Sequence, residues 1–267
     1  MPKRFYLETS VIRSYFISHS SLRDLLKQKL KNQISITSNF VKMEFYRSLI
    51  CNLIEFYFVL SGQASISDAI RYWNEDFHIR KIKNVNISIA DVFTDINNND
   101  INLGLLRLRN QIKILIIGFN HLINRYDKNN SKCYLGNYNF DFNSFNTEED
   151  IEKELALCSN YFKENYIDNC NIINLLNDSI DYINKILKWD SKKASFKELQ
   201  KKITKIQSNK KLSCFTCKII GDAIISLECP SYAILLTLDT IFEDLCQILN
   251  LKFEVIPSVR TLNSLNQ

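Results

Sequence analysis

Hydrophobic positions follow two periods along this chain. Near the start, Arg4-Phe5-Tyr6-Leu7 and Ile34-Ser35-Ile36-Thr37-Ser38 have the length of short strands, and Ser38 is a candidate helix N-cap. Near the end, Ala233 to Leu236 is a continuous apolar run, short enough to be a strand buried on both faces, and it closes on Thr237-Leu238-Asp239. The alternation in HIRKIKNVNISI predicts a further strand over His78 to Ile89, placed in the middle of the sheet.

Most of the remaining chain repeats at three and four residues, the spacing of a helix with one buried stripe. Val11 to Lys31 reads as one helix carrying Ile12, Tyr15, Phe16, Leu22, Leu25, Leu26 and Leu30. A second stripe runs through Val41, Phe45, Leu49, Leu53 and Phe56, and a short helix is expected over Ser65 to Trp73. Asp91 to Asp95 starts helical before an Asn-rich loop, and Ile101 to Tyr126 is a long helix. Periodicity lapses from Asp127 to Asn146, where Tyr134, Tyr138, Phe140, Phe142 and Phe145 either stack bases or dock the loop on a helix. Three acids in the first turn begin a helix at Thr147, and others cover Cys170 to Trp189 and Ser195 to Gln207. Ile220, Ala223, Ile224 and Leu227 form the stripe of a helix starting near Gly221, with Asp222 off its centre. The pattern describes an α/β protein with a mostly parallel sheet.

Composition narrows this picture only slightly. With 5 Gly and 3 Pro in 267 residues, breakers are scarce, which favours long helices over a turn-rich all-β fold. A formal charge of +5 is compatible with a polyanionic partner without establishing one. The 8 cysteines are irregularly spaced and read as reduced thiols. Cys214 and Cys217 form a CxxC without a second pair at zinc spacing, so two core-facing thiols compete with a structural zinc. Glu8 interrupts any signal-peptide pattern after Lys3 and Arg4, and no apolar run is long enough for a membrane span, so a cytoplasmic protein is expected. None of the histidines, at 19, 78 and 121, sits in a nucleophile or metal-ligand pattern.

Four acids fall at telling places: Glu8 after the first strand, Glu44 on an early helix, Asp222 on a late helix and Asp239 after a late strand. Ligands of open α/β sheets collect at the carboxyl ends of strands. Carboxylates gathered there repel, by about 4 kcal/mol for a pair ~4 Å apart at an effective dielectric near 20. Hard divalent cations relieve this, because they favour oxygen ligands.

The acids in YLETSVI, ITSNFVKMEFYR, GDAIISL and LLTLDTIF, in that order and followed by Phe242 and the closing Leu251 to Pro257, resemble the PIN-domain nucleases, including the VapC-type toxins. The likeness covers roughly residues 1–60 and 213–258. It departs at Glu8, where many relatives have Asp and where Glu reaches one methylene further. It departs again in the long stretch from Glu44 to Asp222, which requires an insertion.

The resemblance implies an α/β/α sandwich made of 1–126 and 207–267, with 127–206 as a helical insertion. It implies Mg²⁺- or Mn²⁺-dependent cleavage of single-stranded RNA, with Glu8, Glu44, Asp222 and Asp239 as the catalytic metal ligands. Glu8 and Asp222 would be central, and Thr9, Ser10, Thr237 and Arg47 would support them. Glu243 and Asp244, close to Asp239, either add to the site or are ordinary first-turn acids. Lys197, Lys201, Lys202 and Lys205 lie on a basic helix leading towards Asp222, either guiding RNA or forming a solvated face. A toxin role would require an antitoxin covering the acidic cleft; anti-phage effector and processing enzyme are equally compatible, as is a homo-oligomer. The competing reading is a catalytically silent PIN-fold scaffold that binds RNA or a protein through its insert.

Overall fold

The computed structural model describes residues 1–17, 20–76, 83–97, 99–126, 148–168, 178–208 and 220–257. The sheet contains β1 (Arg4–Leu7), β2 (Ile34–Thr37), β3 (Arg125–Tyr126), β4 (Ile234–Thr237) and β5 (Lys252–Val255), in the order β3-β2-β1-β4-β5. Every pairing is parallel: Tyr6 lies opposite Ile36 on one side and Leu235 on the other. Consecutive residues of β1, β2 and β4 are buried, so both faces of the central sheet are covered, as parallel strands require.

Between β1 and β2 run α1 (Thr9–Ile17) and α2 (Ser20–Leu30), where the sequence predicted one helix. Ser38 caps α3 (Asn39–Phe45) as expected, accepting from the Val41 amide at 3.3 Å and receiving the Tyr6 hydroxyl at 2.9 Å. The helix then widens into a π-helical segment (Tyr46–Ile50) before α4 (Cys51–Ser61). Asn52 Nδ2 donates to the carbonyls of Arg47 and Ser48 and satisfies groups that the widened turn frees.

Next come α5 (Ile66–Asp76), α6 (Lys83–Phe93) and α7 (Ile101–Leu122). The strand expected over 78–89 is therefore corrected: its described part belongs to a helix. Ile89 and Val92 are buried and Phe93 packs on the core, a helical spacing that the preceding alternation masked. The middle of the sheet is β1, and β3 forms the edge beyond β2. Asn124 ends the long helix early by pairing with Ser35, its amide donating to the Ser35 carbonyl at 2.9 Å and its Oδ1 accepting from the Ser35 amide at 2.7 Å. Arg125 and Tyr126 then fall into register with Ile36 and Thr37.

Beyond 147 lie α8 (Glu148–Asp168), α9 (Ile180–Lys188), α10 (Ala194–Ser208), α11 (Gly221–Glu228) and α12 (Ile241–Leu249). The helices of the expected insertion pack on the rest of the chain: α8 against α4, and α9 and α10 against α12. Tyr57 on α4 donates to Glu152 on α8 at 2.8 Å. The aromatic stretch after Asp127, the CxxC at Cys214 and Cys217, and His19 and His78 lie outside the described residues. Among the described residues no helix is long and apolar enough to cross a membrane.

Candidate acidic site at the carboxyl ends of the strands

The strand order reverses between β1 and β4, and this switch point opens a crevice at their carboxyl ends. Glu8 immediately follows β1, and Asp239 stands just past β4. Glu44 reaches the crevice from α3, which follows β2, and Asp222 from the first turn of α11. The approach of α11 to α3 explains Gly221: a Cβ there would stand 3.0 Å from Glu44 Oε1. A larger residue would require the Glu44 carboxylate to shift by a few tenths of an ångström.

Glu8 is buried and begins α1 as its cap. Its carbonyl accepts from the Ile12 amide at 3.2 Å, and its Oε2 accepts from the Ser10 amide at 2.6 Å. Its Oε1 accepts from the Ser10 hydroxyl, from Thr237 Oγ1 at 3.2 Å and from the Leu238 amide at 3.3 Å. Four donors match the roughly four lone-pair sites of a carboxylate. Glu8 thus clasps β1 to the end of β4, and as the side chains lie it has no acceptor capacity to spare. Thr9 and Ser10 serve different acids: Thr9 Oγ1 donates to Glu44 Oε2 at 2.6 Å, whereas Ser10 holds Glu8. Thr237 Oγ1 also accepts from the Asp239 amide at 2.9 Å, and Asp239 Oδ1 accepts from the Ile241 amide at 3.0 Å.

Electrostatics join these separate bonds into one site. Burial, followed by the charges of Glu44, Asp239 and Glu8, pushes half-buried Asp222 up to about 7. One carboxyl group therefore feels all three other acids. Burial also raises Glu8, opposed by its bonds from Ser10 and Leu238 and by the charge of Arg13. Lys202, on α10, pulls Asp222 the other way, so the basic helix approaches the acids through at least this residue. Lys202 also pairs with Glu198 at 2.9 Å.

Arg13 is the site residue that sequence reasoning missed. The side chain is half-buried and its Nε is shielded from solvent; this burial lowers the guanidinium, while Glu44 and Glu8 favour its charged form and Arg47 opposes it. Its Nε has no hydrogen-bond partner among the described residues. The available signal was an arginine on the first turns of a helix that otherwise shows an apolar stripe. Arg47 lies in the π-helical segment, within electrostatic reach of Arg13.

Glu243 and Asp244 have the ordinary first-turn role. Lys193 pairs with Glu243 at 2.6 Å and with Asp244 at 3.1 Å, and Asp244 also accepts from Trp189 Nε1 at 3.0 Å and Ser191 Oγ at 3.1 Å. Lys197, Lys201, Lys202 and Lys205 all lie on α10.

The donor chemistry of the four acids suits a hard divalent cation, since every candidate ligand is a carboxylate oxygen. As the side chains lie, however, no group of three or more His, Cys, Asp and Glu among the described residues is arranged to hold a metal ion. Comparison with known proteins adds no relative: no family model, no curated protein and no solved structure matches this chain.

Proposed function

We propose that this protein is a metal-dependent endoribonuclease of PIN type, cutting single-stranded RNA at the carboxyl ends of β1 and β4. One observation carries the reading: a single carboxyl group, Asp222, is held near neutrality by burial together with three other acids brought in from distant parts of the chain. Such a cluster opposes its own charge, and a divalent cation is the partner that relieves it. Glu8, Glu44 and Asp239 each accept from a nearby donor, the Ser10 amide, Thr9 Oγ1 and the Ile241 amide respectively.

Asp222, Glu44 and Asp239 would hold the ion, with Glu8 behind them, either fixing the β1–β4 junction or turning inward as a fourth ligand. A bound Mg²⁺ or Mn²⁺ supplies Lewis-acid polarisation of the phosphodiester and a more acidic water. A bound cation would favour the charged form of Asp222, whose carboxyl burial and the neighbouring acids push up to about 7. Arg13 limits the repulsion between Glu8 and Glu44 from inside the fold. Lys202 and its neighbours on α10 draw the RNA backbone towards the acids. Residues 127–206 form an insertion on this nuclease core, and a toxin, anti-phage or RNA-processing role would all use the same chemistry.

A second reading has its own support. Glu8 is fully engaged, and Asp239 accepts from the amide that opens α12, which are the habits of structural acids. A silent scaffold binding RNA or protein through the insert would look the same. Incubating the purified protein with unstructured RNA and Mn²⁺ separates the two. Cleavage that Asp222→Asn abolishes supports the nuclease. Equal cleavage by that variant removes the assignment, and saturable RNA binding without cleavage favours the scaffold.

A further inference from the structure

Arg13 has more donor capacity than its surroundings use. It lies on α1, four residues after Thr9 and three after Ser10, so it stands one turn beyond both, on the face they share. Thr9 Oγ1 donates to Glu44 at 2.6 Å and the Ser10 amide to Glu8 at 2.6 Å, and the charges of these two acids reach the Arg13 guanidinium. A guanidinium offers five N–H donors. Among the described residues that of Arg13 makes no ion pair and no hydrogen bond, and its shielded Nε is left without a partner. The acids are occupied elsewhere: Ser10, Thr237 and Leu238 fill the lone pairs of Glu8, and Thr9 takes Glu44 Oε2.

A second arginine comes within electrostatic reach of the first. Arg47 stands in the π-helical segment, one turn past Glu44, and its charge disfavours that of Arg13. Segments of this kind are frequent at functional sites. Arg13, Glu44 and Arg47 are all half-buried, so each keeps part of its surface open to solvent. An anion shared by the two guanidiniums would turn their repulsion into two attractions.

We infer that the Arg13 guanidinium binds a backbone phosphate of the RNA strand at the acidic site, with Arg47 flanking the same group. The inference takes its substrate class from the nuclease reading and adds the residue that seats the strand. Balancing Glu8 and Glu44 through space asks only for a charge. A planar fork with open donors is matched by the paired non-bridging oxygens of a phosphodiester. One helical turn, roughly 5–6 Å between Cβ atoms, separates Arg13 from Thr9 and Ser10, so the phosphate lies beside the acids and not at a remote subsite. The lysines of α10 attract the strand as point charges; Arg13 fixes one position along it.

The test is equilibrium binding of an unstructured RNA oligomer to the full chain in EDTA, which withholds divalent cations. Copies of the oligomer carry one neutral methylphosphonate linkage at each position in turn. Arg13→Gln should weaken binding of the unmodified strand by about tenfold and lower the slope of log affinity against log salt by about 0.7. One methylphosphonate position should weaken binding to the unaltered protein by a similar factor and have no further effect on Arg13→Gln, because both changes remove the same contact. Arg13→Lys, the substitute if the glutamine variant fails to fold, keeps the charge without the fork, and that linkage should matter less to it than to the unaltered protein. The inference is overturned if every linkage affects the variants as it affects the unaltered protein, or if the unaltered protein binds no RNA. Cleavage in Mn²⁺ is scored separately. Cleavage with no linkage tied to Arg13 removes this inference alone, whereas a linkage tied to Arg13 without cleavage upholds it and removes the nuclease reading.

Discussion

Burial and three neighbouring acids hold the Asp222 proton up to about 7, against 3.8 for the unperturbed group. Between those values the native state binds a proton that the unfolded chain has lost, so stability falls as pH rises. The contribution is fully present below the unfolded value and is lost through about 7, at most about 4 kcal/mol at roughly 1.4 kcal/mol per unit. Glu8 is shifted in the same direction and adds with the same sign. Chemical denaturation of the metal-free protein should therefore show a midpoint that drops across this window, and Asp222→Asn should flatten the drop. An unchanged pH profile in the variant would mean that Asp222 does not feel its neighbours.

Arg13 makes a complementary case. Arg13→Met removes the internal counter-charge of Glu8 and Glu44 and should cost about 3 kcal/mol, the range for stranding a buried partner. A loss below about 0.5 kcal/mol, within ordinary surface variation, would place its guanidinium outside the cluster.

Helices α9 and α10 are held to α12 by a compact polar junction. Burial alone would raise Asp244, but its bonds from Trp189, Lys193 and Ser191 outweigh this and hold it below the usual carboxylate range. Asp244→Ala breaks three interactions at once and should destabilise the protein by about 2 kcal/mol. Limited proteolysis should then cut first between α9 and α10. An unaltered cleavage pattern would show that apolar packing alone seats these helices.

How far such elements could be read in advance depended on what each one records in its residues. The strands β1, β2 and β4 were legible because a short apolar run bounded by polar residues admits few other structures, and Ser38 was legible because capping is local. By contrast, β3 has only two residues, too short for any period, and its place is set by the Asn124–Ser35 pairing across distant sequence. The alternation before Ile89 imitated a strand because it samples only part of the helical turn. Four acids in order could be read as a site, but not the direction in which Glu8 points its lone pairs. Nor was it visible that a half-buried arginine from α1 would bring its charge within reach of two of them.

The sheet presents opposite charges at its two ends, acids beyond β1 and β4 and cations before β1 and β5. On the acidic side, α10 brings Lys202 within reach of Asp222, which gives a polyanion a favourable approach to a site that would otherwise repel it. Lys201→Glu combined with Lys202→Glu should weaken RNA binding and reduce the slope of log affinity against log salt by about 2. An unchanged slope would return these lysines to ordinary solvated surface.

The shared acidic cluster is tested most directly by calorimetric titration of the metal-free protein with Mn²⁺ just below the pH of about 7 at which Asp222 loses its proton, alongside Asp222→Asn. The structure leads us to expect saturable binding that releases a proton, and its loss in the variant. Absence of binding to the unaltered protein, or equal binding by both, would contradict a common cation site formed by Glu8, Glu44, Asp222 and Asp239.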